Sequence, residues 1–99
     1  MKHFLVDIQY TAPIETIDEI LPSHRAFLQV GYEQGYLLCS GPKNPRVGGI
    51  VIARAESEEE LRNFFSKDPY QQQNAAHYSF IEFNPVKFQP FLEKWVAGQ

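Results

Sequence analysis

The sequence predicts an α+β chain in the order β-α-β-β-α-β: a four-stranded antiparallel sheet, two helices on one of its faces, and a short helical tail. Three patterns predict it. Residues 3–10, HFLVDIQY, alternate with the period of two that a half-buried strand requires. Ile14, Ile17, Leu21, Leu28 and Gly31, with His24 among them, recur in helical steps of three and four. Two strand-like runs, a capped helix and a last alternating run then follow in that order.

Each element has its own local cause. In the first strand Phe4, Val6, Ile8 and Tyr10 point one way, and Leu5, Asp7 and Gln9 the other. TAP closes it. Ile20 and Phe27 widen the helical stripe, and Pro22 interrupts it, so a kink or a fresh helix with Pro22 near its first position is expected. Gly35 suits the helix C-cap. YLLCSGP reads as the second strand, stopped by Gly41 and Pro42, and GIVIARA as the third after the turn-rich KNPRVGG. Ser57, with Glu60 three residues on, is a capping-box pattern opening EEELRNFFSK, whose first-turn acids suit the helix dipole. DPY breaks that helix, and QQQNAA reads as polar connection. HYSFIEF is the fourth strand. The tail carries Phe91 and Trp95 on a last short helix. Two right-handed β-α-β crossovers in one antiparallel sheet give the ferredoxin-like arrangement, here as one domain over residues 1–99.

The strands are apolar on both faces: Leu37 and Cys39 against Tyr36 and Leu38, Ile50 and Ile52 against Val51 and Ala53. Two helices cover only one face, and large exposed apolar patches are uncommon on monomers. A homodimer with the sheets packed face to face about a twofold axis is the expected cover, with the C-terminal tail as the other candidate.

Composition excludes several classes of partner. The net charge is −3 and the nine Lys and Arg are scattered singly, which argues against nucleic acid or an anionic membrane. No run approaches the ~18 apolar residues of a membrane span. The N-terminus lacks the apolar run of a signal peptide. The lone Cys39 has no partner for an internal disulfide. Between apolar neighbours it is expected to be a reduced, buried hydrophobe in a cytoplasmic protein. The three histidines have no metal-ligand spacing, and no phosphate-loop motif occurs, so neither metal nor cofactor is expected.

His24 stands on a helical stripe where leucine would pack better. Asp68 follows the second helix, and the inferred fold lets that helix end approach the first helix. A carboxylate on one ring nitrogen fixes the tautomer and raises the basicity of the other nitrogen. Either residue also has a purely structural role available: a core-edge ring satisfied by a carbonyl, and an Asp-Pro turn. Ser40, at the end of the second strand, and Tyr70 are candidate substrate contacts. Asp7, on the polar side of the first strand, is a candidate facing a dimer cavity. His3 and His77, at strand beginnings, read as surface residues.

The segments SHRAFL, LLCSGP, GGIVIARAES and KDPY resemble, in order and spacing, the YciI-like (YCII-related) proteins over roughly residues 3–88. The resemblance implies a dimeric α+β barrel similar to muconolactone-isomerase-type barrels, with one member implicated in dechlorinating a hydroxylated aromatic. It also implies an active site centred on a histidine and an aspartate, which match His24 and Asp68 here. Ser40 stands where many relatives carry alanine, and the segment after DPY lacks their usual glycine. The function expected is general acid-base chemistry of lyase or isomerase type on a small molecule, without a cofactor. The alternative is a non-catalytic metabolite-binding or accessory module using the same cavity.

Overall fold

All four predicted strands and both long helices form in the computed structural model, which describes residues 1–99. Strand β1 (Lys2–Tyr10) lies inside the sheet, antiparallel to β3 (Gly48–Ala55) on one side and β4 (Ala76–Phe83) on the other. Strand β2 (Leu37–Pro42) is an edge beyond β3, so the order is β2-β3-β1-β4. This is the ferredoxin-like arrangement expected of two crossovers. One face of the sheet carries Phe4, Val6 and Ile8 of β1 with Val51 and Ala53 of β3, all buried. It packs against Ile17 and Ile20 of helix α1 (Ile14–Glu33) and Leu61 and Phe65 of α2 (Glu58–Phe65). Fully burying a side chain the size of Phe4 or Phe65 contributes about 1.5–3 kcal/mol.

Helix α1 runs continuously for 20 residues through Pro22, where a kink or a fresh helix was expected, so no new helix starts there. Proline removes one backbone donor inside a helix, but Ile17, Ile20, His24 and Gly31 are buried on either side of it. Continuous packing on the sheet outweighs the missing bond. The helix ends as Gly35 predicts. Gly35 takes φ +81°, its N–H donates to the Tyr32 carbonyl, and the Tyr36 N–H donates to the Gly31 carbonyl. That pair of bonds is the Schellman motif. At the start of α2 the Ser57 hydroxyl accepts from the Glu60 N–H at 3.1 Å. DPY opens a further helical turn, α3 (Pro69–Gln72), which the polar reading of QQQ missed. Asp68 is its N-cap and Pro69 its first residue, a combination that favours helix initiation. The tail forms a 3-10 turn at Pro90–Leu92 and helix α4 (Glu93–Val96).

Two expectations fail on the opposite face of the sheet, each for a definite reason. Cys39 is exposed, not buried. Leu37 pairs with Ala53 and Cys39 with Ile52, so Leu38 is an extra residue in β2. Such a bulge reverses the alternation beyond it: Cys39 turns outward, and Ser40, paired with Val51, turns toward the helices. His3, expected at the surface, is only 5% exposed. The tail folds over it, with the Trp95 ring 5.2 Å from the imidazole, centroid to centroid. Arg54, opposite His3 in the ladder, fastens the tail through its Nη1, which donates to the Trp95 carbonyl at 2.7 Å and to Gln99 at 3.1 Å. The tail thus covers one end of the outer face. Ile81 and Phe83 remain 53% and 40% exposed there. No helix is long and apolar enough to cross a membrane.

Candidate active site

His24 lies on the buried stripe of α1, where the periodicity puts it, and is 8% exposed. Asp68 is fully buried at the junction of α2 and α3. Their side chains meet: His24 Nδ1 is 2.8 Å from Asp68 Oδ1 and 3.0 Å from Oδ2. A carboxylate only accepts hydrogen bonds, so Nδ1 carries the proton and Nε2 the lone pair in the neutral ring. Nε2 has no protein partner, and the ring lines a cavity.

Asp68 is held from three sides. Besides His24, the backbone N–H of Tyr70 donates to Oδ1 at 3.1 Å, and the Tyr78 hydroxyl donates to Oδ2. Burying a carboxylate is costly unless its lone pairs are satisfied, and these donors satisfy them. Burial, and then the Asp68 charge, push the Tyr78 hydroxyl far above the usual tyrosine range. It therefore remains a donor at any ordinary pH. Tyr78 was not singled out from the sequence. Its signal was available, since Tyr78 and Phe80 occupy the helix-facing positions of β4, opposite Ile8 and Val6. The Tyr70 ring stacks on His24, with centroids 3.9 Å apart and planes 19° apart. Between Asp68 and Tyr70 the imidazole has one orientation.

The cavity holds about 460 Å³ between α1 and the β2–β3 end of the sheet, within the usual range for small-molecule sites. Ile8, Leu21, Leu28 and Val51 give it apolar walls, and Ser40 and Tyr70 line it as well. The Ser40 Oγ lies 2.7 Å from the Tyr32 hydroxyl. Four of the five residues singled out from the sequence thus gather at one place: His24, Asp68, Ser40 and Tyr70. Asp7 does not join them. It projects from the opposite face of the sheet and pairs with Lys43 at 2.6 Å. Arg25 and Arg46 line the cavity too; sequence reading passed over both, because isolated arginines in a helix and a turn carry no motif. No group of three or more His, Cys, Asp or Glu could hold a metal ion.

Comparison with known proteins agrees with the fold. The model of the YCII-related domain matches residues 1–84. No curated protein matches the chain. Among solved structures, the chain is similar to 5-chloro-2-hydroxyhydroquinone dehydrochlorinase (TftG) from Burkholderia phenoliruptrix AC1100, in complex with 2,5-dihydroxybenzoquinone. The TM-score is 0.67 at 18% identity, over 88% of this chain and 93% of that one. At that identity the likeness establishes a shared fold.

Proposed function

The chain belongs to the YCII-related family, and from that premise we propose that it is a small-molecule enzyme of lyase or isomerase type, with His24 as its general acid and base. The observation that carries this reading is the bond from His24 Nδ1 to the buried Asp68 carboxylate, beside a cavity that the same imidazole lines. Nε2 takes a proton from bound substrate, Asp68 stabilises the imidazolium that forms, and the proton returns at a second position or on a leaving group. Ser40 and Tyr70 contact the substrate. These steps draw on side chains of the chain itself.

The structural relative, which carries a dihydroxybenzoquinone, directs the first screen toward hydroxylated and chlorinated aromatic rings, with lactones as the second class. Turnover is followed by ultraviolet spectra and chloride release. Replacing His24 by Ala is expected to lower the rate by about 10²–10⁴-fold. A correctly folded variant within about threefold of the parent would remove His24 from the chemistry. Saturable binding without turnover of any compound would favour a metabolite-binding module.

The functional unit in this reading is a homodimer. Leu5, Ile50 and Ile52 lie half-buried on the outer face beside the exposed Ile81 and Phe83. A second copy packing its own sheet there would cover them. Light scattering should give twice the chain mass for the parent and a monomer for Ile81→Asp. A monomeric parent at micromolar concentration removes the dimer. With its only cysteine unpaired, the protein suits the reducing cytoplasm.

A further inference from the structure

The chain carries a net charge of −3, yet the cavity beside His24 has the opposite character. Its lining includes two arginines, Arg25 and Arg46, and no aspartate or glutamate. Arg46 is anchored from outside the cavity: one terminal nitrogen, Nη2, donates to Asp18 Oδ1 at 2.7 Å. The guanidinium has five N–H donors in a rigid fork, so this anchor leaves most of them free. The Tyr10 hydroxyl lies beside it. The Tyr70 ring meets Tyr10 edge-on, with centroids 5.8 Å apart.

Tyr70 adds an independent sign. It is 1% exposed, and its hydroxyl is buried with no well-formed hydrogen bond, the Tyr10 hydroxyl being its one polar side-chain neighbour of that kind. Buried hydroxyls are nearly always satisfied, so an unsatisfied one on a cavity wall marks a ligand position. Burial pushes this phenol well above its usual range, so it stays protonated and able to donate. Two kinds of donor therefore converge on one wall. A neutral apolar ligand would leave the Tyr70 hydroxyl and the Arg46 N–H groups not taken by Asp18 without a charged acceptor, while an ionised oxygen would supply one to both.

We propose that Arg46 and the Tyr70 hydroxyl form an anion clasp, and that the substrate is a small, largely apolar molecule bearing one ionised oxygen group, a carboxylate or a phenolate. Ile8, Leu21, Leu28 and Val51 hold its body, and the clasp fixes its charged end, so that the reacting atom falls against His24 Nε2. Arg25 adds positive potential to the same hollow. This specifies the substrate class of the acid-base reading given above and rests on it. The clasp itself is a binding claim that can be tested without any turnover.

The test uses two matched pairs of probes, followed by NMR titration of the full chain. Benzoate against benzamide reports a carboxylate; 4-nitrophenolate against 4-nitroanisole reports a phenolate. At least one anion should bind about tenfold or more tightly than its neutral counterpart, and the pair that shows the preference tells which anion the site takes. In Arg46→Gln that ratio should fall to about twofold or less, and Tyr70→Phe, which keeps the ring, should lower it part of the way. Arg46 lies in a partly exposed turn, and Tyr70→Phe keeps the core volume, so both variants should fold. Equal affinity for both members of each pair, no binding of either anion up to about 20 mM, or a ratio unchanged in Arg46→Gln overturns the clasp. None of those results touches the His24 rate measurement, and loss of that reaction would leave the clasp standing.

Discussion

The molecule buries two histidines in opposite ways. His24 and His3 are 8% and 5% exposed, and each lies against an aromatic ring, His24 stacked on Tyr70 and His3 tilted against Trp95. Their electrostatic neighbours differ in sign. His24 donates to the Asp68 carboxylate and borders a cavity. His3 lies opposite Arg54 in the ladder, under the tail, and its Nε2 is buried without a partner. Burial pulls the His3 pKa below its usual value, the nearby Trp95 backbone opposes this, and the N-terminal charge and then the Arg54 charge add to the lowering. Burial alone therefore says little about what a histidine does. A carboxylate on one nitrogen and open space at the other suit the proposed proton carrier; a positive neighbour and a covering tail suit a neutral packing group.

The strongest way to break this contrast is to exchange the roles. The ~10²–10⁴-fold loss expected for His24→Ala should have no counterpart at the other ring: His3→Gln should keep activity within about twofold. Similar losses for both would mean that the two rings are not distinguished by their surroundings. The next largest effect concerns the partner. Asp68→Asn keeps the shape but can either accept from Nδ1 or donate to it, so the tautomer is no longer fixed. Nitrogen-15 spectra of the neutral ring should show a single Nδ1–H form in the parent and a mixture in the variant, with activity down by at least about tenfold. A parent already mixed would undo the assigned role of Asp68. The smallest effect belongs to His3. Its folded pKa is depressed, so its contribution to stability is full above the unfolded value near 6.5 and is lost as pH falls below it. Acidification should loosen the tail. Fluorescence of Trp95, the sole tryptophan, should shift to the red below about pH 6 in the parent, and the shift should be weaker in His3→Gln. A flat profile in the parent would show that the tail does not sense this ring.

The two histidines also differ in how far the sequence disclosed them. His24 could be placed because a helical period is local: four to five turns of spacing put it on the stripe that faces the sheet. Asp68 followed from its position at a helix end that the fold brings toward α1. His3 was misread because its burial depends on Trp95, which is 92 residues away in the chain and arrives only when the tail folds back. The same holds for Arg46 and Tyr78, which matter through neighbours that no local pattern specifies. Helix α3 escaped notice because QQQ has no apolar face; its start is set by the Asp68 cap and Pro69, features read only as a stop. Alternation in β2 misled for another reason. It is an edge strand, where an extra residue disturbs only one ladder, and nothing in YLLCSGP marks the slip.

That slip at Leu38 decides which atom the cavity meets from β2. In an uninterrupted ladder Cys39 would stand opposite Val51 and present sulfur to the bound molecule, while Ser40 would look outward. With the extra residue the thiol is outside and the hydroxyl inside. A protein built this way can trade a soft, oxidisable group for a hard, inert one by sliding a single edge strand, leaving every codon unchanged.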